Sequence, residues 1–223
     1  MDTLSTTLKR FCIAVIFSIA FGYIEAAVVV YLREIFYPDG FTFPIVIFSI
    51  NPLWKRLLLT EIGREASTIV LISTGAWLFG KNMRQRVAYF LTIFAVWDIF
   101  YYVWLKFLIN WPVSLMEWDI LFLIPLSWAG PVLAPILVSL VMLVFAVVIL
   151  YCDCRSRPLK INFFDWIAFC VAAFVIVASF CIPGPHISKD DFSSYFYWSL
   201  FAAGLSIAVL VFAKCLMGSR CKS

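Results

Sequence analysis

Residues 97–106 read Trp-Asp-Ile-Phe-Tyr-Tyr-Val-Trp-Leu-Lys and place a carboxylate inside a long apolar run that begins near Val87. A run of this length is typical of a membrane-spanning helix, and Asp98 falls near its middle. An ionisable group at that depth is energetically costly, so it normally faces a charged partner, water or a ligand. The stretch therefore predicts a helical bundle arranged around a few internal charges.

The composition of the chain predicts a membrane protein. Of its 223 residues, 64% are hydrophobic and 13% are charged, whereas a soluble domain of this size needs more polar surface. The net charge of +4 comes from basic residues in short loops. Such residues determine membrane topology, so nucleic acid is not an expected partner. We expect one transmembrane domain over residues 1–223, in contact with the lipid bilayer.

Six apolar runs are long enough to cross the hydrocarbon core, which takes about 20 residues. The predicted fold class is therefore all-α, a polytopic integral membrane bundle of about six transmembrane helices. The first run is too long for the hydrophobic region of a signal peptide, and we expect it to be retained. The predicted spans cover residues 11–32, 57–80, 87–109, 128–151, 162–182 and 193–216.

The charges of the loops predict the orientation. Basic residues precede the first span, fill the second and fourth loops and follow the last span, whereas the third and fifth loops carry acids. The positive-inside rule then predicts a multi-pass protein of the cell (inner) membrane with both termini in the cytoplasm. The first loop runs against the rule, because Arg33, Lys55 and Arg56 would lie outside.

Two loops on the predicted outer side are unusually apolar. Residues 41–54 are interrupted by Pro44 and Pro52, and residues 119–125 are too short to cross a membrane. We expect both to be interfacial or re-entrant segments, whose backbone must be covered by protein or line a wet cavity. The alternative is a Trp-rich belt that lies on the lipid head groups.

Helical spacing places the internal charges on faces that point into the bundle. Ser18 and Gly22 share a face with Glu25, and two small residues four apart predict close approach of another helix. In the third run, Asp98 shares its face with Tyr101. We expect these faces to meet in one cavity that opens on the outer side.

The charged faces predict a ligand-binding or proton-handling site. Acids outnumber bases in it, so some carboxylates would lack a basic partner and could take up a proton or a cation. Aromatic rings on the same helices suit a cationic or amphipathic ligand. The alternative is a structural ion network, Glu25–Arg64–Asp98, which needs no ligand. The predicted site residues are Glu25, Glu61, Arg64, Glu65, Asp98, Tyr101, Tyr102 and Lys106.

No cofactor and no metal site are predicted. His186 is the single histidine and lies in a predicted outer loop, so the spans hold no histidine for a haem or a zinc ion. Carboxylates alone could still bind Mg²⁺ or Ca²⁺. The seven cysteines are expected to be free thiols.

Three functions are compatible with these observations. The first is binding or translocation of a small cationic or amphipathic ligand, or of protons. The second is a membrane-embedded enzyme that acts on a lipid or isoprenoid substrate, with Glu25 or Asp98 as acid or base. The third is an accessory subunit of a larger membrane complex. The partners considered are thus a small-molecule or lipid ligand, a second copy of the chain, or other membrane subunits.

Overall fold

A computed structural model describes residues 4–37, 40–44, 52–157 and 159–220. Six helices and one small antiparallel hairpin make up most of this part of the chain. In chain order the elements are α1 (Leu4–Phe36), α2 (Pro52–Phe79), α3 (Met83–Ile109), β1 (Trp118–Phe122), β2 (Trp128–Pro131), α4 (Leu133–Cys154), α5 (Phe163–Cys181) and α6 (Trp198–Arg220), with short 3-10 turns at Gly184–His186 and Phe192–Tyr195.

Among the described helices, five are long and apolar enough to cross a membrane. The prediction of a polytopic helical membrane protein is thereby confirmed. The exception is α2, whose 28 residues reach about 42 Å at 1.5 Å per residue, more than the hydrocarbon core requires. Its first half is rich in charge: it carries Lys55, Arg56, Glu61, Arg64 and Glu65. A sixth span at 57–80 therefore stays a prediction.

Contacts between the helices fix their relative directions. The thiol of Cys154, at the end of α4, donates to Thr7 near the start of α1 (3.0 Å). Gln85, in the first turn of α3, donates to Asp153 near the end of α4 (2.8 Å). The starts of α1 and α3 and the end of α4 thus lie together, and α4 runs antiparallel to both helices. We call this the terminal end of the bundle.

The remaining helices complete an alternating arrangement. Rings of Phe17 in α1 and Phe79 in α2 are 6.3 Å apart, so the end of α2 also lies near the terminal end. Lys214 in α6 donates to Asp165 at the start of α5 (2.7 Å), which makes these two helices antiparallel. Both described chain ends therefore lie at the terminal end. The β1–β2 hairpin lies at the opposite end, which we call the hairpin end.

Gly22 occupies the closest contact between α1 and α3. A Cβ atom built on it would come within 3.0 Å of the Trp97 carbonyl oxygen and 3.3 Å of the Tyr101 backbone nitrogen. Ser18, one turn earlier, is fully buried. The predicted helix contact at Gly22 is thus confirmed, and it holds the Glu25 face of α1 against the segment of α3 that carries Asp98.

The hairpin differs from what the sequence predicts for residues 119–131. The apolar segment 119–125, predicted to be an interfacial or re-entrant piece, supplies most of the first arm of a β-hairpin, with Asp119 opposite Gly130 and Ile120 opposite Ala129. Pairing between the two arms satisfies backbone groups that would otherwise need a helix. As a consequence α4 begins at Leu133, and the predicted start of the fourth span at residue 128 is wrong.

The first connection also begins later than predicted. Arg33 belongs to α1, which continues to Phe36, so its assignment to the first loop is wrong. The helix extends because no Gly or Pro interrupts the sequence before Pro38. Half of the predicted interfacial segment 41–54, residues 45–51, lies outside the described residues, and its last residues begin α2.

Candidate functional site

A large cavity of about 1040 Å³ reaches from the hairpin end into the apolar middle of the bundle. All six helices and the hairpin contribute to its walls. Charged side chains from α1, α2, α3 and β1 occupy the part near the hairpin. The wall toward the terminal end is apolar and includes Phe90, Phe94, Phe145, Phe169 and Phe212. The cavity is therefore amphipathic along its length.

Arg64 is the centre of the first charge cluster on this cavity. Its Nε donates to Glu61 Oε2 at 3.0 Å, and its two Nη groups form ion pairs with Glu25 and Glu61. Thr68 adds a hydroxyl donor to Glu25 Oε2 at 3.3 Å. The planar guanidinium thus bridges two carboxylates on different helices, a geometry for which Arg is well suited.

Arg33 forms a second cluster, which the sequence does not predict. Its Nη2 donates to Asp119 Oδ1 at 2.9 Å, and the side chains of both residues are less than one-tenth exposed. Tyr101 donates to Asp119 Oδ2 at 3.2 Å, and the backbone N–H of Ile120 donates to Oδ1 at 3.0 Å. Burial raises the pKa of Asp119, while the charge of Arg33 and these hydrogen bonds oppose the rise.

The guanidinium of Arg33 is also sandwiched between aromatic rings. Its central carbon lies 4.2 Å from the Phe41 ring centroid and 3.8 Å from that of Trp111. Cation–π contacts of this kind stabilise a desolvated Arg. Its Nη1 is buried and has no hydrogen-bond partner within the described ranges. The Arg33 cluster fixes the hairpin to the ends of α1 and α3.

Asp98 has far fewer hydrogen-bond partners than Asp119. Ser139 of α4 donates to its Oδ2 at 2.8 Å, and no basic side chain forms an ion pair with Asp98 in the described part of the chain. Asp98 is only partly buried, because it borders the cavity. The alternative network Glu25–Arg64–Asp98 is therefore wrong in its last member: Arg64 joins Glu25 to Glu61 instead.

Glu65 connects the charged helix α2 to the hairpin. Its Oε2 accepts the backbone N–H of Leu123 at 2.8 Å, and the residue is 5% exposed. A carboxylate that accepts a backbone N–H supports a loop that has no regular partner of its own. Like Asp98, Glu65 has no ion pair with a basic residue among those described.

The two predicted tyrosines lie beside Asp98 and Asp119. Tyr101 and Tyr102 pack edge to face with ring centroids 4.8 Å apart, and both line the cavity. Lys106 does not reach it. Its side chain is exposed at the surface of α3, and its ammonium group donates to the Asn110 carbonyl at 3.3 Å. The structure thus brings seven of the eight predicted site residues to one cavity.

Two tryptophans on the cavity carry unsatisfied donors. The indole N–H groups of Trp97 and Trp128 are buried and have no hydrogen-bond partner among the residues that the structure describes. Trp97 is 5% exposed, so water from outside the protein does not reach it. A buried polar group without a partner is uncommon and calls for an explanation.

Several residues of the site are not predicted, because the sequence pattern around them is unremarkable. Ser139 lies in an apolar run and looks like an ordinary small residue. Asp119 lies in a loop, where a carboxylate is unremarkable. Arg33 does have a signal, since it is a basic residue on the side that the other loops make acidic.

A metal centre was also sought among the residues that the structure describes. No group of three or more His, Cys, Asp or Glu side chains capable of holding a metal ion occurs among the described residues. The six cysteines that the structure describes are free thiols. The chain matches no protein-family model, and neither a curated protein nor a solved structure is significantly similar to it. Function must therefore be argued from the cavity itself.

Proposed function

We propose that this protein binds an amphipathic, lipid-like ligand in the cavity between its helices. The observation that carries the proposal is the amphipathic lining: charged residues at the hairpin end and aromatic and aliphatic walls below them. A volume of about 1040 Å³ is at the upper end of the range of pockets that hold organic ligands. A self-contained ion network would need no such space.

The apolar part of the cavity has the depth of one bilayer leaflet. Asp98 lies 11 residues from Val87, the lining residue of α3 nearest the terminal end, which corresponds to about 16 Å of helix. Half of the hydrocarbon core is about 15 Å thick. A ligand whose polar group lies at Asp98 would thus have room for an apolar chain as long as those of the surrounding lipids.

The helix packing also supports entry from the bilayer. α2 packs along α3, whereas it has no comparable packing against α5 or α6 among the described residues. Both α2 and α5 contribute to the cavity walls. Entry between these two helices would let an amphipathic molecule move from the bilayer into the cavity without crossing water.

A blocked cavity tests this function. Ala173 on α5 lines the cavity and is itself exposed, so Ala173→Trp fills the space without replacing a buried side chain. We expect solvent extraction and mass spectrometry of the purified wild type to release a stoichiometric amphipathic compound, and Ala173→Trp to lack it. Val171→Trp is the matched control, because Val171 is 47% exposed on the same helix and does not line the cavity. Equal amounts of bound compound in all three proteins would refute the proposal.

A membrane-embedded enzyme that acts on a lipid or isoprenoid is the second candidate. It is favoured by Asp98, a carboxylate that borders the cavity and is held by Ser139, because such a group can accept or donate a proton. Conversion of the extracted compound during incubation with wild type, but not with Asp98→Asn, would establish turnover. Recovery of the unchanged compound would leave binding as the function.

The proposed location is the cell membrane, with both termini in the cytoplasm. The basic loops at the terminal end support this orientation. In a cysteine-free background, a membrane-impermeant thiol reagent should label a cysteine at Lys189 in intact cells and fail to label one at Arg84. Both positions are exposed in the folded protein. The reverse labelling pattern would invert the orientation and open the cavity toward the cytoplasm.

A further inference from the structure

We propose that the polar group of the ligand is a positively charged amine and that Asp98 is its counter-ion. This inference rests on the proposed function and specifies which amphipathic molecules the cavity accepts. It starts from the charges on the cavity wall. Five carboxylates and three basic groups line it: Glu25, Glu61, Glu65, Asp98 and Asp119 against Arg33, Lys55 and Arg64.

Both guanidinium groups on the cavity wall already form ion pairs with carboxylates of the protein. Arg64 forms ion pairs with two carboxylates, and Arg33 pairs with Asp119 while it is stacked between two rings. The Nη1 group of Arg33 has no partner among the described residues, but the Arg33–Asp119 pair carries no net charge and the two carboxylates of Arg64 outnumber it. Neither cluster therefore attracts an anionic ligand strongly. Lys55 is exposed and lies ten residues, or about 15 Å, before Glu65 on α2. The described charges therefore disfavour an anionic group at the level of Asp98.

Glu65 and Asp98 are the two cavity carboxylates without an ion pair among the described residues. Glu65 accepts the backbone N–H of Leu123, which leaves Asp98 as the less satisfied of the two. It has one neutral hydroxyl partner, Ser139, and it also lies close enough to Asp119 for the two negative charges to repel each other. A buried carboxylate is stable as an anion when a cation lies next to it. An ammonium group in the cavity would supply that cation and would donate hydrogen bonds to the carboxylate oxygen that faces it.

The surroundings of Asp98 suit a cation with an apolar chain. Phe94 precedes it by one turn and Tyr101 and Tyr102 follow it by one turn, and all three line the cavity. Aromatic faces attract an ammonium group when water is excluded. The neighbouring Trp97, nine-tenths buried, has an indole N–H that lacks a partner among the described residues. An ammonium group cannot accept this N–H, so the Trp97 donor calls for a separate acceptor atom on the same ligand.

Three probes that differ only in their polar group test the inference. Dodecylamine, dodecanol and dodecanoate are added below micelle-forming concentrations to the purified protein in nanodiscs, and binding is followed by thermal shift and native mass spectrometry. We expect the amine to bind the wild type about tenfold or more tightly than the alcohol, as a charge-assisted hydrogen bond predicts, and the carboxylate to bind most weakly. This ranking needs no variant, so it tests the inference even if a substitution impairs folding.

Variants then assign the preference to one residue. Asp98→Asn should bind amine and alcohol equally, whereas Asp190→Asn, which removes an exposed acid from a loop, should keep the wild-type ranking. Equal binding of amine and alcohol to the wild type, with Ala173→Trp blocking both, would refute the charged amine and retain the amphipathic cavity. If none of the probes binds, the proposed function fails as well.

Discussion

Asp119 and Asp98 are two carboxylates that border the same cavity, but the protein satisfies them very differently. Asp119 accepts from a guanidinium, a phenol and a backbone N–H. Asp98 accepts from one serine hydroxyl. A buried charge with several partners holds elements together, whereas one that lacks a counter-charge is unfavourable for folding and is retained for another reason. The comparison separates a carboxylate that holds elements together from one for which we propose a role in ligand binding.

Removal of the counter-charge of Asp119 should have the largest effect on stability. Arg33→Ala leaves a buried carboxylate uncompensated and should lower the free energy of unfolding by about 3–5 kcal/mol. Adding Asp119→Asn should restore much of the loss. Arg84→Ala is the control: Arg84 also pairs with an aspartate, but its side chain is 51% exposed, so the change should cost less than about 1 kcal/mol.

Denaturant unfolding of the three variants in one detergent gives these values. If Arg33→Ala is as stable as Arg84→Ala, the Arg33 cluster does not hold the hairpin in place. Asp119 would then not be a structural carboxylate.

The Arg64 cluster should show a smaller effect of the same kind. The Arg64 side chain is 21% exposed, compared with 9% for Arg33, so solvent screens part of the charge that remains. Arg64→Ala should lower the free energy of unfolding by about 1–3 kcal/mol. Adding Glu25→Gln should restore part of that loss. Adding Asp98→Asn instead should give no specific rescue, because Asp98 forms no ion pair with Arg64. A rescue by Asp98→Asn equal to that by Glu25→Gln would place Asp98 inside the structural network.

The contact at Gly22 tests whether Asp98 is held in a rigid frame. Gly22→Leu pushes into the backbone on both sides of Asp98, at Trp97 and Tyr101. We expect a loss of about 1–3 kcal/mol from overpacking. The matched control is Gly63→Leu on α2, where a Cβ atom would meet nothing within 4 Å. Equal melting temperatures for the two variants would mean that the Glu25 face of α1 does not pack on α3.

The sequence predicts the class of fold and most of the cavity residues, because those signals are local. Apolar run length reveals the helices, and a charge within such a run reveals Glu25 and Asp98. The partners are harder to predict because they lie far along the chain. Arg33 and Asp119 are 86 positions apart, and Ser139 is 41 positions from Asp98. No local pattern encodes which charges will meet.

The hairpin shows that local sequence does not determine secondary structure here either. Residues 118–131 contain an apolar run that suits a strand, a membrane-surface segment or the start of a helix equally well. Pairing with the second arm and the contacts of Asp119 and Leu123 with other elements decide between these conformations. Lys106 illustrates the opposite case: a charge close in sequence to the site that the helix turns toward the surface.

The most direct measurement is the stability and ligand content of Asp98→Asn, assayed together on one preparation. If Asp98 is the functional carboxylate, the variant should melt at the wild-type temperature or above it, because an unfavourable buried charge has been removed, and it should lose the bound compound and the preference for dodecylamine. Collapse of the fold, or a stable protein that retains both the compound and the preference, would contradict the account.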